Sequence, residues 1–423
     1  MRILFCCQFY TPSVGGVQEV IQQLSERLVV RGHKVSVATT KLSSRDFTKL
    51  NGVEVNEFDV RGNWVSEMSG EIAEYQEFLL NGQFDVVMMY AAQQWTFDAA
   101  WPVLDKLAAF TVFVPCGFSG LYEPGYETYF QALPEVLKKL DHLVFNASKY
   151  RDIDFAREHG IIKFSVVPNG ANEEVFNVAA DPLFRMRHGI PDKSFIFLTV
   201  GSFTGLKGHL ELVKAFERLK LPRNRHATLI LNGNEVQQLD TSVSGLLGKF
   251  LALVKIYGFF YAVKKVMGRL VGSVESPKQI AAKLNESKTN KCTLVTDFPR
   301  DELTQAFITA DLFVFASNLD YSPLVLFESA AAGTPFLSVN VGNAEEIAEW
   351  TRAGVICEST VDTKGYTHVN EEVLANSMEE LMQQHDKLTT MGKAGKQNWS
   401  ERLTWDRITV QYEQIFNQLI SEH

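Results

Sequence analysis

The chain lacks most of what would mark a secreted, membrane-spanning or nucleic-acid-binding protein. Its five cysteines (Cys6, Cys7, Cys116, Cys292, Cys357) are odd in number and scattered. They form no CxxC and no Cys/His pair at ligand spacing, which fits a reducing compartment and predicts neither disulfides nor a structural zinc. No stretch reaches the roughly 18–20 uninterrupted apolar residues of a spanning helix. The 41 basic residues are outnumbered by 50 acidic ones, a formal charge of −9. No global positive field therefore exists to hold a polyanion, and nucleic-acid binding is not expected. The opening MRILFCCQFYTP carries neither a charged leader of useful length nor a small-residue cleavage site, so it reads as a first strand rather than a signal peptide. What is present is apolar material: 46% of 423 residues, enough for two ordinary domains and too much for disorder.

Short apolar runs recur with helical segments between them, the pattern of a parallel sheet covered by helices. In the first half they are Ile3–Cys7, Lys34–Thr39, Val53–Val60, Phe84–Tyr90, Thr111–Pro115, His142–Asn146 and Phe164–Pro168. After the polar stretch Ala179–Lys193 the pattern restarts with Phe195–Gly201, Ala227–Gly233, Cys292–Thr296, Asp311–Ala316, Pro335–Val339 and Gly354–Cys357. The expectation is an α/β protein with two Rossmann-like, doubly wound domains facing a central cleft, ligands lying at the carboxyl ends of the strands. The boundaries are 1–180 for the first domain and 190–399 for the second. A closing amphipathic helix, Trp399–Ile420, carries Trp405, Ile408, Tyr412, Ile415 and Leu419 on one face, and residues 400–423 are expected to cross back to the first domain.

One region breaks the rhythm. Residues 240–288 are far longer than one loop and helix need, and read as an insertion in the second domain. Its core, Leu246–Val271, holds Lys249, Lys255, Lys264, Lys265 and Arg269 and no acid. The apolar stripe changes phase at Gly258, predicting two short amphipathic helices suited either to an anionic membrane surface or to packing on the protein body.

The first strand runs into Thr11–Val17, where Gly15 and Gly16 precede a helical pattern; such a turn lets backbone approach a ligand, although most are structural. It is not GxGxxG, so no dinucleotide fingerprint is read. The second domain opens alike, with Val200–Gly208, which contains Ser202 and Lys207. A strand, a Gly-rich loop and a lysine at a helix start make a diphosphate cradle without the Walker spacing. The richest segment is Ser317–Glu328: a strand end, then Asp320, Tyr321, Ser322 and Pro323 at a helix start, with Leu324, Val325 and, eight positions after Asp320, Glu328. Arg151–Asp154 spells DxD inside a helical pattern, where i and i+2 side chains diverge, so no metal site is expected. His142, His159 and His209 show no metal spacing. Gln93–Trp95 follows a strand end and either faces an acceptor or, for Trp95, packs in the core.

Together these segments resemble the retaining glycosyltransferases of the GT-B fold, family 4. The resemblance rests on Pro12–Gly16, Val167–Gly170, Val200–Gly208, Ala310–Val314, Asp320–Glu328 and Gly342–Ile347. It implies that Glu328 holds the ribose hydroxyls and that backbone amides of Ser322, Pro323, Leu324 and Val325 surround the diphosphate. Lys207 adds charge there, and Gly16 approaches from the first domain. Asp297, Phe298 and Pro299 fall where the family's base-contacting backbone lies. The sequence departs from the family at three places: Asp320 is a shorter acid than the usual glutamate, Ser202 stands where an arginine is usual, and Cys116 stands where many relatives place a histidine. A neutral thiol cannot carry the proton an imidazole would, although it fills the same space.

The resemblance implies sugar transfer with retention from a nucleoside-diphosphate sugar to a glycan or lipid-linked glycan, in surface polysaccharide synthesis, with no cofactor and no obligatory metal. Candidate catalytic positions are Lys207, Asp320, Glu328 and Cys116. The implied place is the cytoplasm or the inner face of the membrane, with 246–271 as the membrane contact. Alternatives are an impaired relative that only binds nucleotide sugar or a partner, a nucleotide-sugar epimerase, and a phosphorylase, for which no pyridoxal lysine stands out.

Overall fold

A computed structural model describes residues 1–222, 224–234, 276–287 and 289–422. By its internal contacts the chain divides into two units. Unit 1 is Met1–Phe176 with Tyr321–Glu328 and Gln397–His423, and unit 2 is Asn177–Asp320 with Ser329–Lys396.

Unit 1 is built on eight strands: β1 (Arg2–Cys6), β2 (Lys34–Thr40), β3 (Lys49–Leu50), β4 (Val53–Phe58), β5 (Val86–Tyr90), β6 (Phe110–Val114), β7 (His142–Phe145) and β8 (Phe164–Val166). Their order is β8-β7-β6-β5-β1-β2-β4-β3, parallel except for the edge pair β3–β4. The strands are apolar on both faces because both are covered. Leu4, Val87, Met89 and Phe113 lie in one core, while Ile3, Phe5, Val86, Met88 and Val112 lie in the other, the two-residue alternation of a pleated strand.

The helix Gly16–Val30 buries Val20, Ile21, Leu24 and Leu28, three and four residues apart. Trp405, Ile408, Tyr412 and Phe416 of the helix Trp405–Ser421 join the same core, and Glu413 of that helix accepts from the Nε of Arg31 at 2.7 Å. The closing segment is two helices rather than one. His385–Arg402 carries Trp399, and the chain restarts at Thr404, whose hydroxyl accepts from the Arg407 N–H at 3.3 Å as an N-cap.

Unit 2 holds β9 (Ser194–Val200), β10 (His226–Asn232), β11 (Lys291–Thr296), β12 (Leu312–Phe315), β13 (Phe336–Val339) and β14 (Gly354–Cys357). They are all parallel, in the order β11-β10-β9-β12-β13-β14. The polar stretch Ala179–Lys193 is part of this unit. Its helix Phe184–Arg187 is tied down by Arg187 to Glu302 (2.8 Å) and Asp181 (2.5 Å), by His188 to Glu302 (2.5 Å) and by Arg185 to Asp311 (3.7 Å).

No disulfide joins the five cysteines; burial alone pushes the Cys6 thiol up to about 12, so it stays protonated. No helix among the described residues is long and apolar enough to cross a membrane. The two amphipathic helices expected over 246–271, and residues 240–275 of the expected insertion, lie outside the described residues. The insertion's last part forms the helix Pro277–Glu286, opened by a capping box between Ser276 and Gln279.

Candidate functional site

Each sheet reverses its strand order once, between β1 and β5 in unit 1 and between β9 and β12 in unit 2. In open parallel sheets the loops leaving such a point at the carboxyl ends part to either side and leave a crevice for ligands. Gly15, Gly16, Ser202, Lys207 and Asp320 lie on loops leaving these two points, whereas Cys116 follows the neighbouring strand β6 and Asp297–Pro299 follow the edge strand β11.

In unit 2, Lys207 leaves β9 and Asp320 leaves β12, and they meet: Lys207 Nζ stands 2.6 Å from Asp320 Oδ2, with side chains 30% and 19% exposed. The two loops are stitched together by their backbones. Asn318 N–H donates to the Leu206 carbonyl at 2.8 Å, and Ser317 Oγ donates to the same oxygen at 3.1 Å. Gly208 is left-handed at φ 70, and a Cβ there would stand 1.9 Å from the Ala316 carbonyl oxygen, so only glycine lets the loops close to this distance. Behind them His209, 4% exposed, stacks on Phe203 at 4.4 Å. Burial first, then the Lys207 charge, drives its pKa down to about 4, so the ring is neutral at physiological pH. Lys278 stands over the Phe203 ring at 5.0 Å, a second cation at this loop that periodicity could not have found. Ser202 and the exposed Asp297 and Pro299 lie at the ends of β9 and β11. Phe298 is fixed between them, its N–H donating to Asn232 Oδ1 at 2.8 Å.

In unit 1, the turn after β1 is held by the buried Arg45. Its Nε donates to the Thr11 carbonyl (2.8 Å), its Nη2 donates to that of Tyr10 (3.1 Å), and it pairs with Glu57. Gly15 and Gly16 then open the first helix. A Cβ on Gly16 would meet only Leu324 Cδ1, at 4.0 Å, which places Gly16 beside the segment Tyr321–Glu328. That segment contains Ser322, Pro323, Leu324, Val325 and Glu328 and begins the helix Leu324–Ala332, whose first turn has N–H groups without intrahelical acceptors. Asn169 Nδ2 donates to the Ser322 carbonyl at 3.2 Å, and Glu328 is 8% exposed. Cys116 follows β6 in a left-handed conformation, φ 60, with Gly117 next to it at φ 86.

Two carboxylates, Asp98 and the first acid of the DxD string, are buried, which the sequence reading did not anticipate. Asp152, within the DxD string, is fully buried, whereas Asp154 is on the surface; the two point apart, as one helix requires. Asp152 Oδ2 accepts from the Gly117 N–H at 2.9 Å, and burial pushes its pKa up to about 6. Asp98 accepts from Tyr129 Oη and the Trp64 N–H, both at 2.9 Å, and burial pushes it up to about 7. For Asp98 the sequence signal is a carboxylate inside an apolar stripe, Trp95–Trp101. Gln93 is left-handed (φ 63), and its side chain accepts from the Gly120 N–H at 3.1 Å. Trp95 is fully buried and donates to Thr40 Oγ1 at 2.8 Å, so it packs rather than faces a ligand.

The architecture is shared with solved glycosyltransferases of the GT-B fold. Sucrose-phosphate synthase from Thermosynechococcus elongatus matches all of both chains with a TM-score of 0.71 at 16% identity. Anabaena HepE in complex with UDP matches 99% of this chain and 100% of its own, at 0.69 and 15%. WaaG, a glycosyltransferase involved in lipopolysaccharide biosynthesis, matches 99% of both chains, at 0.62 and 17%. In sequence, residues 261–398 match the family model described as glycosyl transferases group 1. A curated relative, N-acetyl-alpha-D-glucosaminyl L-malate synthase of Bacillus anthracis, is 24% identical over 123 residues, which is 29% of this chain and 30% of that protein's length.

Proposed function

We propose that the chain is a retaining, metal-independent glycosyltransferase of family 4. It moves a sugar from a nucleoside-diphosphate sugar to a glycan or lipid-linked glycan in surface polysaccharide synthesis. The observation that carries this reading is the junction of Lys207 with Asp320 at the strand reversal of unit 2, one residue before the helix-opening segment Tyr321–Val325. The group 1 match over 261–398 supports it, and so do neighbours of the same fold solved with UDP and UDP-glucose.

The chemistry follows from charge. The C1–oxygen bond to the diphosphate breaks while the acceptor oxygen bonds C1 from the same face, and the acceptor's proton passes to the departing phosphate. The protein's task is to position two substrates and stabilise the growing negative charge. A lysine ammonium has three donors, and one used on Asp320 leaves two for phosphate oxygens. First-turn N–H groups at Leu324 and Val325 add fixed positive potential. Asp320, held by Lys207, is placed as an acceptor for sugar hydroxyls, and Glu328 for those of the ribose. Cys116 shapes the sugar's surroundings without moving a proton. The lipid-linked acceptor and a position at the inner face of the membrane rest on the basic, apolar composition of 246–271.

The test is incubation with UDP-, GDP-, ADP- and TDP-glucose in a chelator, with the nucleoside diphosphate released and the anomer of the freed sugar read by NMR. Slow release from one donor with the configuration kept is expected. Inversion would overturn retention, and dependence on added metal would overturn metal independence.

A further inference from the structure

We propose that Asp152 and Tyr321 form a positioning pair that sets the conformation of Tyr321–Val325 and ties this segment to the Cys116–Gly117 loop. The proposal rests on the reading of that segment as the diphosphate holder. All of its residues belong to unit 1.

Tyr321 is 9% exposed, and its hydroxyl is used twice: it donates to the Asp152 carboxylate and accepts from the Asn146 N–H at 3.0 Å. The carboxylate is used from several sides, by Tyr321, by the Gly117 N–H and by the Ile153 N–H at 2.9 Å. Gly117 is gripped at both ends, because its carbonyl accepts from Arg151 Nε at 2.8 Å. The Tyr321 ring lies directly on Gly117: a Cβ there would stand 2.8 Å from Cγ and Cδ2 of that ring. Tyr150 packs against the same ring, ring centres 5.1 Å apart, and Asn169 holds the next carbonyl, that of Ser322.

Packing alone does not ask for a carboxylate here. A fully buried acid is costly, and an apolar residue would fill the same volume. An ionised carboxylate is an acceptor only, and so it holds the Gly117 N–H and the Tyr321 hydroxyl at once and fixes which way that hydroxyl points. One residue beyond the tyrosine begin the amides read as the diphosphate cradle. A displacement of Tyr321 as a whole, main chain included, would carry those amides with it.

The test uses the full chain as wild type, Tyr321→Phe and Asp152→Asn, titrated calorimetrically with UDP, GDP, ADP and TDP from pH 5 to 8. Tyr321→Phe removes one oxygen and keeps the ring. It should bind the nucleotide that the wild type binds about tenfold more weakly, the loss expected for a hydrogen bond to a charged group. The pH profile separates positioning from packing. Asp152 is charged above about pH 6 and protonated below, where it resembles asparagine. The ratio of wild-type to Asp152→Asn affinity should therefore be large at pH 8 and approach one at pH 5. Titration of the nucleotide's own phosphate is common to both proteins and cancels. The titratable groups that act on Asp152 are Tyr321 and Tyr90, with Cys116 beside both tyrosines and Arg151 on the Gly117 carbonyl; neither tyrosine changes charge in this range, since burial raises both. Variant affinities equal to wild type across the range would overturn the proposal alone. A ratio that stays constant with pH would assign the loss to packing and overturn it as well. If the wild type binds none of the four nucleotides, the reading of the segment falls and this proposal with it. Should Asp152→Asn not fold, the Tyr321→Phe affinity and its flattened pH profile carry the same decision.

Discussion

The glycine turns that follow the first strand of each sheet look alike in sequence and differ in what lies over them. In unit 2, Gly208 is pressed against the Ala316 carbonyl, leaving 1.9 Å for a Cβ that is not there. In unit 1, Gly16 has nothing nearer than Leu324 at 4.0 Å. Glycine in unit 2 is thus demanded by the fold, which must bring two loops into backbone contact to join Lys207 to Asp320. At Gly16 the fold makes no such demand, for a Cβ there would meet only Leu324.

That contrast can be broken or sharpened by substitution. The largest effect on stability is expected at Gly208→Ala, where a left-handed backbone and a clash with main-chain oxygen combine. Urea unfolding should show a loss of about 3 kcal/mol or more, and a loss below about 1 kcal/mol would mean the loops part easily. Next comes Lys207→Ala, which should cut kcat by roughly 100-fold with a smaller change in donor affinity, because charge on the leaving group grows toward the transition state. Equal losses in both would make Lys207 a plain binding residue.

A slower gradient comes from Asp98. Its folded pKa, about 7, lies above the usual 3.8, so the folded state holds the proton more tightly than the unfolded chain. Stability should then fall as pH rises from about 4 to 7 and level off beyond. Asp98→Asn should flatten that slope in unfolding curves taken at pH 5, 6, 7 and 8, and an unchanged slope would exonerate Asp98. The smallest stability change is expected at Gly16→Ala, within about 0.5 kcal/mol of wild type, accompanied by weaker nucleotide binding. A large stability loss there would erase the contrast between the two turns.

The strands were legible because a parallel sheet buries both faces of its strands, so each apolar run stood out; each of the thirteen expected runs matches one strand of the two sheets to within two residues at either end. The edge strand β3 was not, since Lys49–Leu50 is two residues long and half polar. Nor was the helix break at Thr404, because one N-cap hydroxyl interrupts an apolar stripe without changing its phase. Ala179–Lys193 stood out only as a polar stretch, and its ion pairs were not legible: Arg185 and Arg187 spend their charges on Asp311, Asp181 and Glu302. At the candidate site, the loops were readable from their glycines and the helix start from Pro323. The partnerships were not: Lys207 meets Asp320 across 113 residues of sequence, and Asn146 meets Tyr321 across 175. Such pairs are products of strand order, which no local pattern encodes.

The central claim is that these loops hold a nucleoside diphosphate, and thermal unfolding with UDP, GDP, ADP and TDP in the absence of metal tests it most directly. At about 100 times its dissociation constant a bound nucleotide contributes about 2.7 kcal/mol. One of the four should therefore raise the midpoint by several degrees in the wild type and by clearly less in Glu328→Ala. Four unchanged midpoints, or an equal rise in both proteins, would contradict the account.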